Sequence, residues 1–181
     1  MKPSHLAVFA LLAGFTVVAE SDRSSSSGTH FRAVLAGPTE VPSNFTKGRA
    51  VFTAEAIEGE TAIRFEMTYT DLSGPPTASH VHFAQKGVNG GISFYLCGSD
   101  PTRPAATLSC PPTTSGSFSG TVTAANVVGP GGQGIAAGDF AAILKMMRTG
   151  VTYANIHTAK HPPGEIRGQL KVVDESDSNR D

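Results

Sequence analysis

Most of the chain alternates between apolar and polar residues with a period of two. The clearest example is the segment 62–69, in which Ile63, Phe65, Met67 and Tyr69 share one face and charged or hydroxyl residues share the other. Neighbouring side chains of a strand point to opposite faces of a sheet, so each such segment predicts a β-strand with one apolar face. The other predicted strands cover residues 30–35, 50–57, 78–84, 92–97, 117–123, 153–158 and 165–173. Turns rich in Gly, Pro and Asn separate them, and the pattern predicts an all-β fold, an antiparallel Greek-key-like β-sandwich of about eight strands.

One segment follows a helical period instead of the strand period. Its apolar residues recur at i, i+3, i+4 and i+7, which places them in one stripe of a helix. The residues of this stripe are Phe140, Ile143, Leu144 and Met147. Asp139 before the stripe is a typical N-cap, and Gly150 after it can end a helix. We therefore predict one short helix over residues 139–148, packed against the sheet through its stripe.

The N-terminus has the parts of a secretory signal peptide. Lys2 provides a positive charge, residues 6–18 form an almost uninterrupted apolar run, and small residues follow. The run is too short to span a bilayer comfortably, so we predict cleavage after Ala19 and no membrane span afterwards, with an uncleaved anchor as the alternative. The predicted organisation is a signal peptide over 1–19, a Ser-rich flexible leader over 20–29, one β-sandwich domain over 30–173 and a disordered polar tail over 174–181.

Composition and cysteine content restrict the classes of function. Charged residues make up 16% of the chain and the net charge is -1, so no basic surface argues for binding to nucleic acid or to an anionic membrane. The two cysteines, Cys97 and Cys110, predict one disulfide in an exported chain, with a metal or redox pair as the alternative. We therefore expect a secreted or periplasmic protein. Asn44 opens an Asn-Phe-Thr glycosylation acceptor, which matters only in a eukaryotic host.

Side chains that could carry chemistry gather on the polar faces of three predicted strands. They are His80 and His82 in the segment 78–84, Asn155 and His157 in the segment 153–158, and Glu165 and Arg167 in the segment 165–173. In each segment they alternate with apolar residues, so each pair shares the face opposite the core. Whatever chemistry the protein has is expected on this polar face.

A metal site is the first interpretation of these residues. His80 and His82 stand two apart on a strand, so their imidazoles suit two ligands of one copper or zinc ion, with His157 as the third. Asn155 or Glu165 could orient an imidazole through its second nitrogen. Copper/zinc superoxide dismutases use a similar His-x-His pair, but no zinc-site Asp or dense His loop accompanies it in this sequence.

A purely structural network is the second interpretation. The histidines would then hydrogen-bond to Asn155, to Glu165 or to the backbone, and Glu165 and Arg167 would form an ion pair that pins the sheet. The sequence contains no Gly-x-Ser-x-Gly elbow and no other pattern of nucleophilic catalysis. We therefore predict no catalytic residues and no enzymatic activity.

Several motifs of this chain together resemble the CHRD domain, which is named from chordin and also occurs in exported bacterial proteins. They are Phe31-Arg32-Ala33-Val34-Leu35-Ala36-Gly37, Glu40-Val41-Pro42, His80-Val81-His82, Cys97 with Cys110-Pro111, Tyr153-Ala154-Asn155-Ile156-His157-Thr158 and Gly164-Glu165-Ile166-Arg167-Gly168-Gln169. The single copy and the paired cysteines are more similar to the single-domain bacterial form. The resemblance implies an extracellular location and a β-sandwich, and it implies no catalysed reaction.

Two functional hypotheses follow from the residues and the resemblance together. The first is a secreted or periplasmic, non-enzymatic binding or structural module whose partner is an extracellular protein or a surface ligand. The alternative is a copper- or zinc-binding metalloprotein, with a redox-related role as one form of it, that uses His80, His82 and His157.

Overall fold

The computed structural model describes residues 29–98, 104 and 107–178. The predicted signal peptide and residues 20–28 of the predicted leader lie outside the described residues, as do residues 179–181 of the predicted tail. Across the described ranges, no helix combines the length and the apolar character needed to cross a membrane. The processing of the N-terminus and the disorder of the tail therefore stay predictions.

Nine strands and two helices make up the described part of the chain. The strands are β1 (His30–Ala36), β2 (Arg49–Ile57), β3 (Ala62–Thr70), β4 (Pro76–Phe83), β5 (Gly91–Gly98), β6 (Gly116–Thr123), β7 (Thr152–Thr158), β8 (Ile166–Gln169) and β9 (Lys171–Val173). The helices are α1 (Phe140–Arg148) and a single turn, α2 (Glu175–Ser178). Short 3-10 turns follow β1, β2 and β6, and a further one precedes α1.

All of these strands belong to one antiparallel sheet. Its order is β5-β4-β7-β8-β1-β2-β3-β6, and β9 pairs with β1. The sheet curls round until its outer strands β5 and β6 come near each other, and an isolated bridge between Phe94 and Val127 lies on the same side. The predicted all-β antiparallel fold is confirmed, and one nearly closed sheet supplies both layers of the sandwich.

The apolar faces of the strands line a continuous core. In β3 the predicted alternation is present, since Ile63 and Met67 are 0% exposed while Arg64 and Glu66 between them are exposed. On β4 the residue that points into the core is Val81, and on β7 the core residues are Ala154 and Ile156. Because side chains alternate along a strand, this burial turns the polar residues of β4 and β7 to the opposite face.

Helix α1 packs on the core as its apolar stripe predicts. The four stripe residues, Phe140, Ile143, Leu144 and Met147, are all buried. The Asp139 carboxylate accepts a hydrogen bond of 3.0 Å from the backbone nitrogen of Ala142, which satisfies a donor that the first helical turn leaves unpaired. The prediction of one short helix capped by Asp139 is therefore correct in its position and in its buried face.

The predicted disulfide joins Cys97 at the end of β5 to Cys110 in the connection to β6. Cys97 is fully buried, and Gly98 donates a backbone hydrogen bond of 2.9 Å to Leu108 on the other side of the same loop. Within the described residues no cysteine is free. The pairing is confirmed, and it ties a long connection back to the sheet near the gap between β5 and β6.

Candidate metal site on the polar face of strands β4 and β7

Strands β4 and β7 are neighbours, which brings the two histidine-bearing motifs together. Their antiparallel register places His80 opposite Asn155, His82 opposite Tyr153 and Ala78 opposite His157. The sequence predicted the face of each histidine but contained no direct signal for this pairing. The register supplies it, and the three imidazoles converge on one side of the sheet.

The three histidines form a compact group. One ring nitrogen from each can be chosen so that all three lie within 4.8 Å of one another. The closest approach is 3.2 Å, between His80 Nδ1 and His157 Nε2. His80 and His82 are 7% and 8% exposed, and His157 is partly buried. The structure therefore brings the three histidines together, although their spread of 4.8 Å is wider than the roughly 4 Å that one bound ion allows.

Backbone carbonyl groups orient two of these rings. His82 Nδ1 lies 3.0 Å from the carbonyl oxygen of Gly90, and His157 Nδ1 lies 2.8 Å from that of Pro162. A carbonyl oxygen can only accept, so each Nδ1 carries the hydrogen and each Nε2 keeps a lone pair. Metal-binding histidines are usually held in this way, with the second nitrogen donating to a carbonyl or carboxylate group. We expected Asn155 or Glu165 in that role, and the backbone fills it instead.

Two acceptor atoms of the polar face lack hydrogen-bond donors. His82 Nε2 and Asn155 Oδ1 are buried, and neither has a hydrogen-bond partner among the described residues. The Asn155 side chain instead contacts His157, with Nδ2 lying 2.8 Å from Nε2. Buried polar atoms are nearly always paired, so these two unpaired acceptors call for a proton donor or a cation.

Burial keeps the imidazoles of His82 and His157 neutral. Desolvation is the largest influence on His82 and lowers its pKa to about 4, against the opposing effects of its hydrogen bond to Gly90 and of the nearby Asn155 side chain. Desolvation also lowers the pKa of His157, although its bond to Pro162 acts in the other direction. A metal ion binds the deprotonated imidazole, so at neutral pH both rings are in the form that a metal requires.

Aromatic rings form the walls of the group. The Tyr153 ring stacks on His82 with 4.7 Å between centroids, and the Tyr95 ring meets His80 edge-on at 4.6 Å. On the Tyr153 ring, the Arg167 guanidinium lies 4.1 Å from the centroid. These contacts hold the imidazoles in place and restrict the room for further ligands around His80 and His82.

Arg167 belongs to a buried ion pair with Glu40. Their side chains approach to 2.9 Å and are almost completely buried. Arg167 also donates to Asn89 Oδ1 at 2.6 Å and to the carbonyl oxygen of Val88 at 3.2 Å. The expected ion pair between Glu165 and Arg167 is therefore wrong, because Glu40, from the loop after β1, takes that place.

Glu165 lies in a separate cage of hydroxyl groups. Its carboxylate accepts hydrogen bonds from the hydroxyls of Thr46 at 2.6 Å, Ser73 at 2.6 Å and Thr158 at 2.7 Å, and from the backbone nitrogen of Ser73 at 2.8 Å. Burial by itself raises the pKa of Glu165, but these donors outweigh it and leave the pKa lowered. Neither of its oxygens is available to an imidazole, so the suggested partnership between Glu165 and the histidines is also wrong.

Three side chains on this face of the sheet were not among the predicted site residues. Tyr153 stands two residues before Asn155 on the same strand face, so the alternation that identified Asn155 and His157 could have identified it. Tyr95 faces His80 only because β5 pairs with β4. Glu40 lies in a turn-rich segment far from Arg167 along the chain, and no local pattern indicates that the two side chains meet.

Comparison with known families identifies the chain. The CHRD domain model matches residues 31–170, which is most of the sequence. The protein therefore belongs to the CHRD family, as the motifs indicated, and this membership supports a non-enzymatic domain. Neither the search of curated proteins nor the search of solved structures gives a match.

Proposed function

We propose that this CHRD domain binds a transition-metal ion, copper or zinc, through His80, His82 and His157. The ligand atoms are Nε2 of His82, Nε2 of His157 and one ring nitrogen of His80. The observation that carries the proposal is the buried Nε2 of His82, a lone pair without a donor beside two other imidazoles. Nitrogen ligands of copper and zinc are borderline-soft groups of the kind these ions prefer.

The spacing of the nitrogens is close to what one ion needs. Two nitrogens bound at about 2.0–2.1 Å to the same ion lie at most about 4.2 Å apart. The present spread reaches 4.8 Å, so the rings must close by less than about 1 Å, which small side-chain rotations provide. The Asn155 amide must also leave His157 Nε2, because both would use the same lone pair.

The surroundings support a protein that holds or passes on metal outside the cytoplasm. The Cys97–Cys110 disulfide suits an oxidising compartment, and CHRD domains are in general extracellular or periplasmic. We therefore propose a secreted or periplasmic metal-binding module without catalysis. The extracellular protein or surface ligand expected as its partner would then donate or receive the ion.

Metal titration of untagged protein tests this function. We expect wild-type protein to bind one equivalent of Cu(II), and more weakly one equivalent of Zn(II), in the usual affinity order. The double variant His80→Ala/His82→Ala should lose at least about a hundredfold in affinity because two of three ligands are gone. His30→Ala is the matched control, since His30 lies on β1 beside Glu55 and outside the group. Equal affinities of the double variant and the wild type would refute the proposal.

Recognition of a polar ligand is a second candidate function, favoured by a surface groove. The groove has a volume of about 570 Å³ and lies across strands β2, β3 and β6. Its polar lining includes Thr53, Glu55, Arg64, Glu66 and Thr121. Such a mixture of hydroxyls and charges suits a polar extracellular ligand. Screening wild-type protein against Arg64→Ala on a glycan and peptide array tests it, and binding that does not change in the variant would exclude the groove.

A further inference from the structure

We infer that the three-histidine group selects monovalent copper, Cu(I), over Cu(II) and Zn(II). This inference rests on the proposed function, since it names the ion that the same site prefers. It depends on the charge of the ligands, on the state of the nearby carboxylates and on the number of ligands that the site offers.

The proposed ligands bring no negative charge. Each of the three imidazoles is neutral when it binds a metal ion, and the Asn155 amide beside them is neutral as well. An ion in the site therefore keeps its whole charge in surroundings that exclude most water. The electrostatic cost of burying an ion grows with the square of its charge, so a dication costs about four times as much as a monocation.

Nearby carboxylates cannot compensate a second positive charge. Glu165 is fully buried, and its oxygens accept hydrogen bonds from Thr46, Ser73 and Thr158. Glu40 is paired with Arg167, so the charges of this pair cancel to first order. The two buried carboxylates on this side of the sheet are thus committed elsewhere, and the surroundings supply no net negative charge to the site.

The number of ligands points the same way. Zn(II) takes four ligands in a tetrahedron, so a three-histidine zinc site needs a water as its fourth ligand, and Cu(II) prefers a tetragonal set of nitrogen and oxygen ligands. The group offers three nitrogens, and the rings of Tyr153 and Tyr95 pack against His82 and His80. The unpaired oxygen of Asn155 is a further ligand atom beside the histidines, and it is neutral. A site with few, neutral ligands penalises both dications more than Cu(I).

Competition titrations test the preference directly. Cu(I) is measured anaerobically against a Cu(I)-specific chromophoric chelator, and Cu(II) and Zn(II) are measured against metallochromic chelators at the same pH. We expect a Kd for Cu(I) at least about a hundredfold below those for Cu(II) and Zn(II). A hundredfold preference over Cu(II) raises the one-electron potential of bound copper by about 120 mV relative to the free ion.

A charge-adding variant tests the cause of the preference. Asn155→Asp places a carboxylate beside His157 and should reduce the Cu(I) preference at least about tenfold, because it lowers the cost of a dication. Asn89→Asp is the matched control: it adds the same charge beside the Arg167 guanidinium, from which Asn89 already accepts a hydrogen bond. If Asn155→Asp does not fold, the wild-type titrations still decide the inference.

The outcomes separate this inference from the proposed function. Tighter or equal binding of Zn(II) or Cu(II) by the wild type overturns the preference for Cu(I) but leaves a three-histidine metal site in place. An equal change of preference in Asn155→Asp and Asn89→Asp overturns the explanation by ligand charge. Binding of none of the three ions overturns the inference and the proposed function together.

Discussion

Acid should destabilise the metal-free protein in a pH window that His82 defines. Its pKa is about 4 in the folded chain, against 6.5 for the unperturbed side chain. As pH falls below 6.5, the unfolded chain takes up a proton that the folded chain refuses, so the free energy of unfolding decreases until pH reaches about 4. The difference of 2.5 units corresponds to a loss of about 3 kcal/mol.

Two other groups determine how clearly this window can be seen. His157, whose pKa is also lowered, adds to the loss in the same direction. The pKa of Glu165 is lowered too. Its ionised carboxylate stabilises the folded chain at pH values above the unfolded pKa of 4.5, and this contribution is lost only below pH 4.5. The range from pH 6.5 to 4.5 therefore reports on the histidines and leaves Glu165 out.

Urea unfolding in the presence of a chelator, repeated between pH 7.5 and 4.5, measures this loss. The variant His82→Gln should be less stable than the wild type at neutral pH and should show a flatter dependence on pH. His30 is partly exposed and lies outside the group, so the variant His30→Gln should keep the wild-type dependence of stability on pH. The reasoning is refuted if His82→Gln and the wild type lose stability in parallel over the window.

Three further predictions concern packing and pairing, each measured by chemical unfolding. Leu144→Ala should cost about 2–5 kcal/mol because Leu144 is buried, whereas Lys145→Ala on the exposed side of α1 should be nearly neutral; equal costs would contradict the buried face of the helix. Cys97→Ser should cost about 2–4 kcal/mol because the unfolded chain gains conformational freedom when the disulfide is lost, and an unchanged unfolding midpoint would contradict this. Glu40→Gln should cost about 3–5 kcal/mol because Arg167 stays buried without its partner, and a neutral effect would show that Asn89 and Val88 suffice.

Local patterns in the sequence were enough for much of this structure. The period-two segments located the strands and their core faces, the stripe around Leu144 located the helix, and the alternation around Val81 put His80 and His82 on one face. Each of these properties depends on neighbours a few residues apart, and local geometry determines them.

Contacts between distant segments could not be predicted in the same way. The pairing of β4 with β7, which brings His157 to His80, depends on which strands become neighbours in the sheet. The ion pair between Glu40 and Arg167 depends on how a loop folds over that sheet, and Glu165 was assigned the wrong partner for the same reason. Alternation identifies a face of a strand but not the strand beside it, so these contacts follow only from the assembled fold.

The ends of the domain also have a mechanical consequence. His30, the first residue of β1, lies directly opposite Val173, the last residue of β9. A force that pulls these two ends apart acts across the strands, so the hydrogen bonds between β9 and β1 are loaded one after another instead of all together. A strand pair loaded in this way separates one hydrogen bond at a time, at low force. A domain anchored at both ends in a stretched envelope or matrix would therefore yield first at β9, while the β4–β7 pairing that carries the histidines lies further along the sheet.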